Sequence, residues 1–379
     1  MKKRKVLFLI ESFIVGGAEK VLIDIANNLN QEKYDITICS IFKESVYPNY
    51  KKTFSQSFTG GNIHYRYLIN NKIPGLSLLF NYLVNKIPSL LFHLLVRKKY
   101  DKVIAFYEGR PTQWIAQVKL EKDKKLAWLH TSTKLSQQGK SEMLLKREEQ
   151  YYVNYSAIIA VSEEVKVNFI HVFPTLKEKV RVIYNPIDTV DIHRKSLMRL
   201  DMPPVYNRPI FVCVGRITEA KGYKRLFEII KDLSTKHKKF QFWIVGGGNV
   251  QDLLEYIREN NLEQYITLLG HQSNPYPFMR AADCIVIPSY IEGLSTVALE
   301  TFILGKPIIS TDCGGSKELL GDSIYGILAE NSKESLQKAL EYIIDTPSAL
   351  EYFSQMSENR GRNLNLDKNI NLIEQALDI

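Results

Sequence analysis

The stretch Ile285–Thr311, IVIPSYIEGLSTVALETFILGKPIIST, limits what this chain can fold into more than any other. Ile285-Val286-Ile287 is a short β-branched run of the kind that forms a buried strand, and Pro288-Ser289 ends it. Leu299–Leu304 reads as the end of a helix, with Gly305 as its stop and Pro307 beyond. Lys306–Thr311 reads as a second strand. Two strands joined through a helix lie parallel, because a tight hairpin can only join antiparallel ones. At the switch from strand to helix stands Glu292-Gly293-Leu294-Ser295-Thr296. Glycine there lets backbone approach a ligand, and the N–H groups and dipole of a helix N-terminus favour an anion. A carboxylate stands on either side, Glu292 before the helix and Glu300 inside it. Either glutamate alone would read as an ordinary acidic residue of a helix. The pair in this setting is more specific.

The pattern of strand followed by helix repeats along the chain. Val6–Ile10 is an apolar strand, Ile14-Val15-Gly16-Gly17-Ala18 a turn, Glu19–Leu29 an amphipathic helix and Tyr34–Ile41 the next strand. The opening unit lacks GxGxxG, which argues against a nicotinamide dehydrogenase. Tyr100–Tyr107, Leu126–Ser132, Ala157–Ser162 and Val180–Asn185 read as further strands. His130 lies at the carboxyl edge of the Leu126–Ser132 strand, where open α/β sheets bind ligands. Ile73–Lys99 is rich in Leu and Phe with Lys and Arg at its ends. It reads either as a pair of core helices broken at Pro88 or as an apolar, basic-rimmed surface on a membrane.

A polar stretch from Asn185 to Arg208, with Pro203-Pro204, reads as a linker. A second series then starts: strand Ile210–Val214, the loop Gly215-Arg216 to Lys221-Gly222, strand Phe240–Val245 with Gly246-Gly247-Gly248, and Ile266–Leu269 leading to Gly270-His271. Helices are expected from about Lys333, Pro347 and Asp367 onward. The length of 379 residues suits two domains. Four scattered cysteines without a CxxC fit buried thiols in a reducing compartment. The net charge of +9 suits an anionic partner, but no nucleic-acid-binding motif accompanies it. The apolar run after the basic N-terminus is only five residues long, too short for a secretion signal. The expected location is therefore cytoplasmic.

Five motifs, in order, carry a resemblance. They are Gly16-Gly17-Ala18-Glu19, Asn185-Pro186-Ile187-Asp188, Gly215-Arg216 with Lys221-Gly222, Glu292-x7-Glu300, and Thr311-Asp312-Cys313-Gly314-Gly315 with Glu318. Together they resemble the family-4 retaining glycosyltransferases, over Val6 to about Glu330. EGLS stands here where many relatives have EGFG. The resemblance implies an α/β chain of the GT-B fold, two doubly wound Rossmann-like domains facing a central cleft. Residues 1–190 would form an acceptor domain and 191–362 a nucleotide-sugar donor domain, with helix 363–379 packing back on the first.

The resemblance also implies roles. His130, Arg216, Lys221 and Glu292 would be catalytic. Gly16, Gly17, Gly215, Gly270, His271, Gly293, Leu294, Ser295, Thr296 and Glu300 would bind substrate. Glu292 would hold the donor sugar's ring hydroxyls, Glu300 the ribose hydroxyls, and His130 the sugar near the reacting centre. The chemistry fits these residue types. A nucleotide-sugar loses an anionic diphosphate as its anomeric carbon gains positive charge, and Arg216 and Lys221 supply fixed cations for that charge. No two aspartates are spaced Asp-x-Asp, so neutralisation without a metal or other cofactor is the expectation. The donor is expected to be a UDP-sugar. The acceptor is expected to be a glycan, lipid-linked, in capsule, exopolysaccharide or lipopolysaccharide assembly, reached from the inner face of an anionic membrane. Two other readings share the fold: a nucleotide-sugar epimerase and a non-catalytic nucleotide-sugar-binding subunit.

Overall fold

A computed structural model describes residues 2–13, 16–43, 57–70, 73, 75–96, 99–132, 140–199, 201, 203, 205 and 207–378. Ile14 and Val15, expected in the turn before Gly16, lie outside the described residues. The chain divides into two compact units, Met1–Pro186 with Asp367–Ile379, and Ile187–Leu366.

The first unit is built on a parallel sheet of β1 (Arg4–Ile10), β2 (Tyr34–Phe42), β3 (Ile63–Ile69), β4 (Lys102–Ala105), β5 (Lys125–Leu129), β6 (Ala157–Ala160) and β7 (Val180–Val182). The spatial order is β3-β2-β1-β4-β5-β6-β7. Strands in the middle are apolar on both faces because helices cover both, and Val6–Leu9 are fully buried. The edge strand β3 escapes a hydropathy reading for the same reason. Its sequence IHYRYLI alternates with His64 and Arg66, and only Ile69 is buried. The last helix, Leu366–Asp378, packs on this unit through Ile370, Ile373, Ala376 and Leu377. Asp378 accepts from Tyr34 Oη at 2.9 Å and Lys33 Nζ at 2.6 Å.

The second unit repeats the plan with β8 (Ile210–Val214), β9 (Gln241–Val245), β10 (Ile266–Gly270), β11 (Cys284–Ile287), β12 (Ile308–Thr311) and β13 (Ile327–Ala329). All pairs are parallel and the order is β10-β9-β8-β11-β12-β13. Phe211 and Phe242 stack at 4.9 Å in its core. Strand β13, three residues long, is too short to leave a pattern in the sequence. In both sheets the chain reverses its direction of growth once, between β1 and β4 and between β8 and β11. That reversal opens a crevice at the strands' carboxyl ends, where doubly wound sheets bind ligands. Each unit is Rossmann-like. No helix among the described residues is long and apolar enough to cross a membrane.

Candidate active site

The reversal between β8 and β11 is where the second unit gathers its charged side chains. Strand β8 ends at Val214 and the chain turns at Gly215, whose φ of 151° lies outside the range of other residues. A short turn, Glu219–Lys221, follows, and Gly222 starts the helix Tyr223–Thr235 in a left-handed conformation. A Cβ on Gly222 would stand 1.9 Å from the Pro288 carbonyl oxygen, so only glycine lets this turn meet the end of β11. The Tyr290 N–H donates to the Ala220 carbonyl at 2.8 Å. This backbone bond sets the next residue, Lys221, beside Glu292. Lys221 Nζ lies 2.5 Å from Glu292 Oε1, and the Ser289 hydroxyl donates to the same oxygen at 2.8 Å. Both charged side chains are partly buried, at 29% and 12% exposure, so the pair is screened less than a surface pair. Val214, Tyr223, Ile287, Ser295 and Val297 line the same pocket.

The helix Thr296–Ile303 begins at this pocket. Ser295 is its N-cap and accepts from the Ala298 N–H at 3.3 Å. Gly293 and Leu294 are buried and Thr296 half-buried. The Gly293 carbonyl accepts from the Gly315 N–H at 2.7 Å, and a Cβ on Gly314 would lie 2.5 Å from the Glu292 carbonyl oxygen. The glycine pair therefore backs the loop that presents Glu292. Glu300, within the helix, is buried and accepts from Tyr276 Oη at 3.4 Å. The two carboxylates of the motif thus have different partners.

Arg216 is exposed and makes no hydrogen bond or ion pair among the described residues. Gly270 ends β10 and His271 follows it, two strands from β8 and so roughly 10 Å away in the sheet. They do not line the Lys221–Glu292 pocket. Burial lowers the pKa of His271.

Arg225 is a positioning residue that its spacing did not disclose. It is buried, donates to the Pro288 carbonyl at 2.7 Å and to Asn331 Oδ1 at 2.8 Å, and stacks 4.0 Å above the Tyr290 ring. Asn331 donates in turn to the Tyr290 carbonyl at 3.0 Å, and the Thr311 hydroxyl to the Ser289 carbonyl at 2.5 Å. Three successive carbonyls before Glu292 are thereby tied down. A buried Arg on an amphipathic helix is the one sequence signal, and it is visible only once the helix face is known.

In the first unit, Gly16 caps the helix Gly17–Asn28 in an extended conformation at the carboxyl end of β1. His130 stands at the carboxyl end of β5, buried, with its ring 4.6 Å from Phe106 and stacked on Tyr107 at 5.7 Å. Burial pushes its pKa down to about 3, so the imidazole is neutral at ordinary pH. Its Nε2 has no hydrogen-bond partner among the described residues. Glu108, at the end of β4, carries no motif that marks it in the sequence. Its Oε1 accepts from His130 N–H at 2.7 Å, Thr131 N–H at 2.8 Å and Thr131 Oγ1 at 3.1 Å. Burial raises its pKa, while these donors oppose the rise. The carboxyl thus fixes the backbone that carries His130.

Comparison with known proteins finds glycosyltransferases. A model described as Glycosyltransferase Family 4 matches residues 15–191, and one described as Glycosyl transferases group 1 matches residues 202–360. A Campylobacter jejuni enzyme, N-acetylgalactosamine-N,N'-diacetylbacillosaminyl-diphospho-undecaprenol 4-alpha-N-acetylgalactosaminyltransferase, is 28% identical over 50% of this chain and 51% of its own. The chain spans about half the length of several of the relatives it matches. An uncharacterized glycosyltransferase of Haemophilus influenzae is 25% identical over 93% of this chain and 92% of its own. Among solved structures, Anabaena HepE in complex with UDP-glucose superposes with a TM-score of 0.74 at 22% identity, covering 99% of both chains. With the two family models side by side along the chain and this fold beneath them, the protein belongs to glycosyltransferase family 4, of the GT-B type.

Proposed function

We propose that this chain is a retaining, metal-independent glycosyltransferase. It moves a sugar from a UDP-sugar to a lipid-linked glycan in surface-polysaccharide assembly, working at the inner face of the cell membrane. The observation that carries the proposal is the Lys221–Glu292 pair at the reversal of the second sheet. Residues 191–362 would hold the donor and residues 1–190 the acceptor. Relatives support this choice of substrates: the Campylobacter enzyme is named for a diphospho-undecaprenol acceptor, and the Anabaena structure holds UDP-glucose.

The reaction asks three things of the site. As the anomeric carbon–oxygen bond lengthens, negative charge grows on the diphosphate, and the Lys221 ammonium and the free Arg216 guanidinium are cations fit to receive it. The start of the helix Thr296–Ile303 adds its dipole. Glu292, held by Ser289 and Lys221, offers a carboxylate to the ring hydroxyls of the sugar and so orients it. Glu300 would take the ribose hydroxyls. Gly16, Gly17, Gly270 and His271 complete the substrate set, and His130, neutral because buried, would meet the sugar as a hydrogen-bonding rather than a charged group. Retention of configuration comes from the family resemblance.

The test is a donor panel. UDP-, GDP- and ADP-sugars are offered singly, and melting temperature and nucleotide release are read. A binding donor stabilises the fold by mass action. The proposal expects a UDP-sugar to raise the melting temperature and to release UDP when acceptor is added. A panel in which no nucleotide-sugar stabilises the protein overturns it.

A further inference from the structure

The helices Leu76–Lys86 and Pro88–Val96 of the first unit are apolar on two sides. Their inner side explains one set of residues. Phe80 and Phe92 meet the Trp114 ring edge-on at 5.2 Å and 5.8 Å, and Trp114 Nε1 donates to the Pro88 carbonyl at 3.1 Å. Their outer side is open to solvent. Leu78 is 73% exposed, Tyr82 59%, Leu90 55% and Leu94 57%. The pairs 78/82 and 90/94 each fall four residues apart, so each helix presents one continuous apolar edge. An exposed apolar cluster of this kind marks a contact surface.

Charge decides which contact. Residues 45–100 contain eight Lys and Arg and no Asp or Glu, in a chain whose net charge is +9. Lys86 lies within the two helices, and Lys72, Arg97, Lys98 and Lys99 flank them in sequence, so the stretch that carries the apolar edges is basic and has no acidic residue. Among the described residues, Lys86 and Lys99 are exposed and form no ion pair. At 1.5 Å per residue the two helices are roughly 16 Å and 14 Å long, about half the hydrocarbon thickness of a bilayer. They can lie in the interface but not cross it.

We propose that the outer face of Leu76–Val96 docks on the surface of an anionic lipid bilayer, with its leucines among the acyl chains and its lysines at the headgroups. The inference shares with the proposed function the premise of a membrane-borne acceptor, and rests on it only to that extent. Its test reads binding alone and so fails separately from the reaction.

The full chain is sedimented with vesicles of phosphatidylcholine, and with vesicles of phosphatidylcholine and phosphatidylglycerol. Binding should be stronger on the second and weaken as salt is raised. The double variant Leu78→Ser, Leu90→Ser should lose binding by about tenfold or more, because two exposed leucines no longer leave water. Lys86→Glu with Lys99→Glu should reduce the preference for phosphatidylglycerol. Melting temperatures should match the wild type, since all four side chains are exposed. Equal binding to both vesicle types, or unchanged binding by the leucine variant, overturns the proposal. So does a wild type that ignores vesicles but forms a dimer that the leucine variant loses, which would assign the face to a second copy of the chain.

Discussion

Lys221 Nζ and Glu292 Oε1, 71 residues apart in sequence, stand 2.5 Å from each other at the carboxyl ends of β8 and β11. Each comes from a different loop, and each loop is held to the other by backbone. The Tyr290–Ala220 hydrogen bond and the close pass of Gly222 by Pro288 do this without involving either charged side chain. The pair is therefore a product of the scaffold, poised before a ligand arrives.

The cations should fail differently from the scaffold. Arg216→Ala should lower turnover by about 10²–10³-fold, the scale of losing a preorganised donor to developing charge. It should leave the melting temperature unchanged, because the side chain is exposed and makes no ion pair among the described residues. Lys221→Ala should lower turnover comparably, and it also leaves Glu292 without its ammonium partner. Steady-state rates beside thermal melts check both, and a folded, fully active Arg216→Ala would remove that residue from the leaving-group site.

Two glycines separate conformational cost from steric cost. Gly270 has φ +64° and nothing within 4 Å of where a Cβ would stand, so Gly270→Ala bears only the left-handed penalty, roughly 1–2 kcal/mol. Gly222 has φ +70° and would place its Cβ 1.9 Å from the Pro288 oxygen. Gly222→Ala should cost at least about 3 kcal/mol, the conformational strain and a backbone displacement together. Denaturant unfolding of the two variants compares the costs directly.

Metal chelation should leave activity intact, because Lys221 and Arg216 are proposed to neutralise the diphosphate. Initial rates are measured with and without EDTA. Loss of activity with EDTA, and rescue by Mg²⁺ or Mn²⁺, would show that the cations do not suffice.

His130 should impose a pH dependence on stability. Its pKa falls from 6.5 to about 3 on burial, so between these values the unfolded chain binds the extra proton and the native state does not. Stability then rises with pH across that window, by up to about 1.4 kcal/mol per pH unit for one group, and the effect vanishes above it. Glu108, whose pKa is raised, contributes with the opposite sign. Comparing wild type with His130→Gln cancels that contribution. The stability difference between the two should change between pH 6.5 and 5 and be flat above pH 7.5. Melts across this range provide the measurement.

Much of this was legible in the sequence. The β-branched runs marked the central strands because strands buried on both faces must be apolar throughout. Edge strand β3 was hidden by the polar His64 and Arg66 within its run, and β13 by its length. The helices at Leu76–Lys86 and Pro88–Val96 were anticipated with their break at Pro88, but sequence left their role open between core and surface. The structure answers with both, Phe80 and Phe92 inward and Leu78 and Leu90 outward. Within the site, motif spacing picks out Lys221, Glu292 and Glu300. It does not find Arg225 or Glu108, because their importance lies in the carbonyls and amides they hold, and those partners are distant in sequence.

The measurement that tests the central claim most directly is steady-state kinetics of Glu292→Gln and Glu300→Ala, with donor varied at saturating acceptor. Ribose contacts change little between ground and transition states, so Glu300→Ala should raise the donor KM more than it lowers kcat. Glu292 is assigned to the sugar ring, where geometry and charge change most, so Glu292→Gln should lower kcat itself and alter the preference among donor sugars. Gln keeps the size and removes the charge that faces Lys221. A Glu292→Gln enzyme that changes only in KM, beside a Glu300→Ala enzyme that loses kcat, would contradict the placement of the reacting centre at the Lys221–Glu292 pair.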